Sequence, residues 1–188
     1  TIASIVFFIF GYIDDKYNLG SNLKLILLIF FVIFFIFLDN NLIINSLNLS
    51  FTDRLIHLGK YQFIFTLFCF VAFINAFNLF DGINCQIGIY IFFILSVVFF
   101  YNNNLLIIVS LFFSLLIFLI LNLKNKIFLG NAGSYFLGFI ISFIIIKTYN
   151  NSNFVTSDKI LLIMALPGID MIRLFILRIK KKVNPFSP

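Results

Sequence analysis

Residues 61–84 read YQFIFTLFCFVAFINAFNLFDGIN, an apolar run that ends in polar residues at regular spacing. The apolar part is long enough to cross a bilayer, which takes about 20 mostly apolar residues. Asn75, Asn78 and Asp81 follow one another at intervals of three, so a continued helix would place them near one face. Polar side chains at the edge of a membrane segment are costly unless they have a partner or line a wet cavity. We therefore predict a functional site at this point.

The composition predicts an integral membrane protein. Of the 188 residues, 62% are hydrophobic and only 11% are charged, too few to cover a water-soluble globule. The net charge of +6 is assigned to topology and to contact with membrane lipids, not to nucleic acid, because no basic patch is interleaved with base-reading side chains. The expected fold is an all-α, polytopic helical bundle in a membrane.

Seven apolar segments are predicted to be transmembrane helices, the first being the tail of a span. They are residues 1–13, 23–38, 61–80, 87–101, 105–121, 134–149 and 159–179. The longest connection, 39–60, is expected to form either a short hairpin or an interfacial helix. Seven crossings place alternate connections on the same side of the membrane.

The distribution of basic residues predicts the orientation. One side carries nine of them, namely Lys16, Lys24, Lys124, Lys126, Arg173, Arg178, Lys180, Lys181 and Lys182. The other side carries four, namely Arg54, Lys60, Lys147 and Lys159. The positive-inside rule places the first side in the cytoplasm. Every polar cluster that suggests chemistry lies on that same side.

Two of these clusters carry carboxylates. Asp14 and Asp15 lie where a span meets water, and two adjacent carboxylates favour a nearby cation, a Lys or a raised pKa. Such a pair can act as a base and hold a metal-bound phosphate, although a helix cap with solvated charges is an equally open interpretation. Asn75, Asn78 and Asp81 offer oxygen ligands of the kind that Mg²⁺ prefers, the alternative being polar contacts between helices.

Two further clusters are less specific. Residues 127–134 are expected to form a loop with two glycines, whose backbone N–H groups at the next helix start can hold phosphate oxygens; a tight re-entry turn is the alternative. Asp170 and Arg173 are spaced to pair with each other on a helix. Pro167 is expected to kink that helix near the pair.

Together the clusters resemble the polyprenyl-phosphate N-acetylhexosamine-1-phosphate transferase family, whose members start the lipid-linked intermediates of cell-envelope glycans. The matching stretches follow one another in order over essentially the whole chain. They are residues 11–15 (GYIDD) with Lys24 beyond them, 75–84 (NAFNLFDGIN), 128–134 (FLGNAGS), and Pro167, Asp170 and Arg178 followed by 185–188 (PFSP).

The resemblance implies transfer of a sugar 1-phosphate, an N-acetylhexosamine 1-phosphate, from a UDP-sugar to polyprenyl phosphate (undecaprenyl phosphate in bacteria), with release of UMP. It places the enzyme in the inner (plasma) membrane with the site facing the cytoplasm, and it allows a homodimer. Asp14, with Asp15 beside it, deprotonates or positions the lipid phosphate by this analogy, while Asp81 and Asn131 hold Mg²⁺, for which Mn²⁺ is an alternative. The catalytic residues expected are Asp14, Asp15 and Asp81. The substrate-binding residues expected are Lys24, Asn75, Asn78, Asn84, Gly130, Asp170, Arg173 and Arg178.

The chain departs from the family pattern in three respects. Asn131 stands where the family usually has Asp, so this metal ligand is neutral and the metal affinity is expected to fall. Asn84 and Cys85 replace the last Asp-Gly of the second motif. The early spans and a His-rich C-terminal loop of the family are missing, so residues 1–188 are expected to be an internal fragment of a single transmembrane catalytic domain, inactive in isolation.

Two other hypotheses remain open. A non-catalytic homologue that binds lipid or serves assembly is supported by the neutral Asn131. A transporter would place ionisable groups in the middle of its spans, whereas the polar groups of this chain cluster at one interface.

Overall fold

The computed structural model of the chain describes residues 2–52, 54–82, 85–100, 105–151 and 155–184, and eight α-helices account for most of them. The helices are α1 (Ile2–Tyr17), α2 (Ser21–Leu38), α3 (Gln62–Phe80), α4 (Gln86–Phe99), α5 (Leu105–Leu123), α6 (Gly130–Asn151), α7 (Ser157–Ile163) and α8 (Ala165–Lys180). Between α2 and α3, strands β1 (Ser46–Leu47) and β2 (Ile56–His57) pair antiparallel, so the connection is a short hairpin. The predicted all-α bundle is confirmed.

Four stretches of the described residues are long and apolar enough to cross a membrane. They are Ser21–Leu38, Gly59–Phe80, Leu106–Leu123 and Gly130–Asn151. The pair α7 and α8 makes a fifth candidate, bent by 64° at its break. Helices α1 and α4 are shorter, with 16 and 14 residues. Each of the seven predicted segments therefore coincides with a helix, and the last one is divided in two.

Helix α6 lies at the centre of the bundle. Within its apolar stretch 61% is buried inside the protein, whereas the share is 33% or less in the other three long candidates. On one side Phe139 stacks on Phe7 of α1, with ring centroids 4.3 Å apart. On another side Gly138 lets α3 approach closely, since a Cβ at this glycine would lie 3.4 Å from the Cα of Ile74. Burial of these aromatic and aliphatic side chains fixes how α1 and α3 lie against α6.

Two helix ends differ from the predicted ones by four residues, more than any other, and both differences concern the candidate site. Helix α1 continues to Tyr17 instead of ending at residue 13, and it stops where Asn18 takes a positive φ of 48°. A left-handed residue of this kind is a common helix terminator. Helix α6 begins at Gly130 instead of residue 134, so Asn131 belongs to its first turn and not to a preceding loop.

The predicted kink falls at Met164, between α7 and α8, three residues before Pro167. Because proline has no N–H, it cannot donate to the carbonyl of Ile163, four residues earlier. That carbonyl instead accepts a hydrogen bond from the hydroxyl of Tyr90 on α4. The break is therefore stabilised by a neighbouring helix.

The hairpin is held against the end of α6 and the start of α7. The hydroxyl of Tyr149 accepts the N–H of Asn48 at 2.9 Å and donates to the carbonyl of Ser46 at 2.7 Å. Ser50 donates its N–H to Asp158 at 2.9 Å. These contacts hold the hairpin, the end of α6 and the start of α7 together at one end of the bundle, as predicted. Asp15, Asn78 and Asn131 meet at the opposite ends of α1, α3 and α6.

Candidate active site

The carboxylate of Asp15 binds the N-terminus of α6. Its Oδ1 accepts the backbone N–H of Asn131 and its Oδ2 that of Ala132, both at 3.0 Å. The first N–H groups of a helix have no partner within the helix, and the helix dipole favours an anion there. These two N–H groups, predicted to face a phosphate, are thus taken by a carboxylate of the protein. The last turn of α1 and the first turn of α6 are joined as a result.

Two glycines make this close approach of α1 and α6 possible. A Cβ on Gly11 would lie 2.5 Å from the Cα of Ala132 and in still closer conflict with the carbonyl oxygen of Asn131. Gly130 has a φ of +62°, and a Cβ there would lie 2.9 Å from Oδ2 of Asp15. Only glycine avoids both problems.

Asn78 of α3 also reaches the first turn of α6. Its Nδ2 donates to Oδ1 of Asn131 at 3.0 Å and to Oγ of Ser134 at 2.8 Å. The two motifs 75–84 and 128–134, predicted to act together, are therefore in direct contact. Ser134 is 1% exposed. The sequence analysis predicted no role for it, although it lies within the motif 128–134.

Asp14 is fully buried and paired with Lys24 of α2. Lys24 Nζ lies 2.8 Å from Oδ1 of Asp14, and the same oxygen accepts the N–H of Leu19 at 3.2 Å. Oδ2 of Asp14 is buried and has no hydrogen-bond partner among the described residues. Lys24, predicted to contact the diphosphate, holds Asp14 in this structure, and its role with substrate stays a prediction. The free oxygen of Asp14 is unusual, because buried polar atoms almost always have a partner.

Asp81 lies directly after α3, beyond the end of the candidate span. Burial, together with the negative charge of Asp15, raises the pKa of Asp81 to about 6. The charged form of this carboxylate is therefore poorly stabilised by the protein alone. A bound cation would remove that deficit.

The donor set suits a hard cation held partly by substrate. In the described part of the chain, no three His, Cys, Asp or Glu side chains come together to hold a metal ion. Asp81 supplies a carboxylate and Asn131 an amide oxygen, and Mg²⁺ is usually held by one or two carboxylates together with substrate phosphates. The residues present thus fit Mg²⁺, and their assignment as its ligands stays a prediction.

The remaining predicted residues are less directly connected to this site. Arg173 pairs with Asp170 on α8, its Nη2 lying 2.7 Å from Oδ1, as their spacing indicated. Arg178 lies further along α8. Asn75 is half-buried on α3, and Asn84 and residues 185–188 lie outside the described residues. Roles for these residues in substrate binding stay predictions.

Asn122, near the end of α5, was not predicted from the sequence. It is 3% exposed and hydrogen-bonded at both ends of its side chain, to Cys85 and to Ile127. The available signal was an Asn at the end of an apolar run beside the glycine motif, since an amide in such a position needs partners.

The chain matches a known protein family and resembles several relatives that share one name. The family described as "Glycosyl transferase family 4" matches residues 1–149. Relatives named undecaprenyl-phosphate alpha-N-acetylglucosaminyl 1-phosphate transferase include those of Escherichia coli (strain K12), 28% identical over 99% of this chain and 53% of the relative, and of Thermotoga maritima, 28% identical over 100% of this chain and 57% of the relative. The protein of that name from Yersinia pestis is 27% identical over 99% of this chain and 54% of its own length. The chain spans about half the length of these curated relatives.

Proposed function

Because this chain belongs to glycosyl transferase family 4, we propose that its protein transfers N-acetylglucosamine 1-phosphate from a UDP-sugar to undecaprenyl phosphate. An oxygen of the lipid phosphate attacks the sugar-bearing phosphorus, the bond from that phosphorus to the bridging oxygen breaks, and UMP leaves with the electron pair. The product is a lipid-linked sugar diphosphate that begins a cell-envelope glycan.

One structural observation supports this proposal independently of the family assignment. Asp15, Asn78 and Asn131 come from three separate motifs and meet at the first turn of α6 through hydrogen bonds of 3.0 Å. The meeting point lies at the end of the bundle, where a lipid phosphate could reach it from the membrane surface. Positioning of the reacting groups and compensation of their charge account for most of the rate enhancement in phosphoryl transfer.

We assign to Asp14 the role of accepting the proton of the lipid phosphate. Its Oδ1 is fixed by Lys24 at 2.8 Å, whereas its buried Oδ2 has no partner among the described residues. A carboxylate with one oxygen held and the other without a hydrogen bond is suited to accept a proton or to orient the acceptor. Lys24 and the basic residues of the same end offset the charge of the two phosphates.

Asp81 and Asn131 are the residues that would hold Mg²⁺, and Mn²⁺ would suit the same oxygen ligands. When bound, the ion supplies positive charge to the phosphate oxygens. Asp15 places Asn131 by capping α6, and its charge adds to the negative potential at Asp81. Asn78 orients the amide of Asn131 through its own Nδ2.

The proposed location is the inner membrane, with this site facing the cytoplasm. The nine basic residues at the site end of the predicted topology, against four at the hairpin end, support that orientation. UDP-sugars are water-soluble, so the donor would approach from the aqueous side. A homodimer is a further expectation from the resemblance, and a light-scattering mass of the purified protein would test it.

A non-catalytic homologue is the second candidate. Asn131 is neutral and its Oδ1 already accepts a hydrogen bond from Asn78. Such a site would bind Mg²⁺ weakly or not at all while keeping the lipid-facing structure.

The deciding experiment is a UMP-release assay in membranes from cells that express the complete reading frame containing this chain. UDP-N-acetylglucosamine, undecaprenyl phosphate and MgCl₂ are supplied, and Asp14→Asn, Asp81→Asn and Asn131→Asp are compared with the wild type. Asp39→Asn, a carboxylate at the hairpin end that caps a turn at Asn41, is the matched control.

We expect UMP release by the wild type and the control, and loss of about 100-fold or more in Asp14→Asn and Asp81→Asn. Asn131→Asp is expected to lower the Mg²⁺ concentration needed for half-maximal release, because it adds a charge to the ligand set. If neither the wild type nor Asn131→Asp releases UMP, the transferase proposal is wrong and the non-catalytic homologue replaces it.

A further inference from the structure

Asn122 links two loops at the site end of the bundle. Its Oδ1 accepts the backbone N–H of Cys85 at 2.7 Å and lies 3.1 Å from the Sγ of the same residue. Its Nδ2 donates to the carbonyl oxygen of Ile127 at 2.6 Å. One buried amide side chain therefore spans from the start of α4 to the segment that precedes α6.

The two residues that Asn122 binds lie close in sequence to the proposed metal ligands. Cys85 lies four residues after Asp81, and Ile127 lies four residues before Asn131. Asp15 and Asn78 hold Asn131 from α1 and α3. Asn122 adds a second link, because one side chain bonds a residue shortly after Asp81 and a residue shortly before Asn131.

The backbone at Cys85 needs such support. Cys85 has a φ of +65°, a left-handed conformation that costs a non-glycine residue about 1 kcal/mol or more. Its N–H and its thiol both bind Asn122. Removal of the amide would leave the buried N–H of the strained Cys85 and the partly buried carbonyl of Ile127 without this partner, so the backbone at Cys85 would relax.

We propose that Asn122 is a positioning residue that fixes the separation of Asp81 and Asn131 and thereby tunes the affinity of the site for Mg²⁺. This inference rests on the proposed function, because the metal assignment belongs to it. Removal of a group that is hydrogen-bonded directly to a metal ligand changes metal affinity by about 10–100-fold. Asn122 acts through residues that neighbour the ligands in sequence, so we expect an effect at the lower end of that range. A residue that only stabilises the fold would change the unfolding temperature and leave the metal affinity as it was.

The test uses the complete protein in a Cys69→Ala background, so that Cys85 is the thiol of this chain that reports on the loop. Three quantities are measured: the rate of Cys85 alkylation by a maleimide, the MgCl₂ concentration that gives half of the maximal rise in unfolding temperature, and the MgCl₂ concentration for half-maximal UMP release. Asn122→Ala is compared with Asn150→Ala, which removes another asparagine bonded to loop carbonyls, those of Asn41 and Ile43 at the hairpin end.

We expect Asn122→Ala to raise the alkylation rate and both half-effective MgCl₂ concentrations by about tenfold or more. Asn150→Ala should leave all three within about twofold while lowering the unfolding temperature. Asn122→Asp, which keeps the acceptor for Cys85 but cannot donate to Ile127, should protect Cys85 and still weaken the response to MgCl₂. If Asn122→Ala does not fold, the comparison of Asn122→Asp with the wild type provides the test.

Equal half-effective MgCl₂ concentrations in the wild type and Asn122→Asp would overturn the proposal and leave Asn122 a purely structural residue. Failure of the proposed function has a different signature, in which the wild type releases no UMP. In that case the MgCl₂-dependent unfolding temperatures and the alkylation rates still decide the role of Asn122. A wild type whose unfolding temperature does not respond to MgCl₂ would refute the metal assignment and this inference together.

Discussion

Oδ1 of Asp15 accepts the backbone N–H of Asn131 at 3.0 Å, although the two residues are 116 positions apart. This bond joins a carboxylate motif at the end of one helix to the glycine motif at the start of another. It gives Asp15 a structural task that the pair Asp14-Asp15 does not reveal in the sequence. Adjacent carboxylates thus have different surroundings, since Asp14 is fully buried with Lys24 and Asp15 caps α6.

The capping role of Asp15 predicts a graded loss of stability. Asp15→Ala removes both acceptors and should lower the free energy of unfolding by about 1–2 kcal/mol. Asp15→Asn keeps one acceptor oxygen and should lose less. The measurement is thermal unfolding of the complete protein in detergent micelles, without MgCl₂. An Asp15→Ala variant as stable as the wild type would show that the carboxylate does not cap α6.

Gly11 is predicted to be indispensable for the same contact. In Gly11→Ala the new Cβ meets backbone atoms of Asn131 and Ala132, which cannot rotate away, so α1 and α6 must separate. We expect the unfolding free energy to fall by about 1–3 kcal/mol. UMP release should also fall, because α1 and α6 carry residues of the proposed site. Gly168→Ala on α8 is the matched control, since nothing lies within 4 Å of its Cβ. Equal behaviour of the two variants would contradict this account of Gly11.

The raised pKa of Asp81 predicts that this carboxylate destabilises the metal-free protein at neutral pH. Its pKa rises from 3.8 to about 6 on folding, so the folded state binds the proton more tightly than the unfolded state does. The associated stability is present below pH 4 and is lost as the pH rises through about 6. Because Asp81 is only partly buried, the loss should be about 1–2 kcal/mol.

Unfolding temperatures in EDTA at pH 4 and pH 7.5 test this directly. Asp81→Asn should be more stable than the wild type at pH 7.5 and equal to it at pH 4. A gain of stability together with a loss of UMP release would mark Asp81 as a residue kept for function. Parallel pH profiles of Asp81→Asn and the wild type would refute the prediction.

The hydrogen bond from Tyr90 to Ile163 predicts a non-additive pair of substitutions. Tyr90→Phe leaves the Ile163 carbonyl without this partner and should cost about 1–2 kcal/mol. In a Pro167→Ala background the new N–H of residue 167 can serve that carbonyl, so Tyr90→Phe should cost less. A double-mutant cycle of unfolding free energies measures the difference. Additive effects would mean that Pro167 is not the reason why Ile163 needs Tyr90.

Most of the secondary structure could be predicted because a membrane segment is specified by its own length and apolarity. Each predicted segment contains a helix, and the connection 39–60 forms one of its two expected structures, the hairpin. The errors lie at helix ends. The four extra residues at the start of α6 are helical because Asp15, far away in the sequence, accepts the N–H groups of Asn131 and Ala132. No local pattern contains that information.

The sequence by itself determined that this chain forms apolar helices, that its polar motifs lie at one end of them, and which family those motifs resemble, since all three follow from residue type and spacing. Tertiary structure alone decided which side chains meet. Asp14 pairs with Lys24, Asp15 caps α6, and a buried Asn122 joins the segments of Cys85 and Ile127. The physical reason is that a buried polar group is stabilised only by partners at hydrogen-bond distance. The packing of the helices, and no local preference, sets those distances.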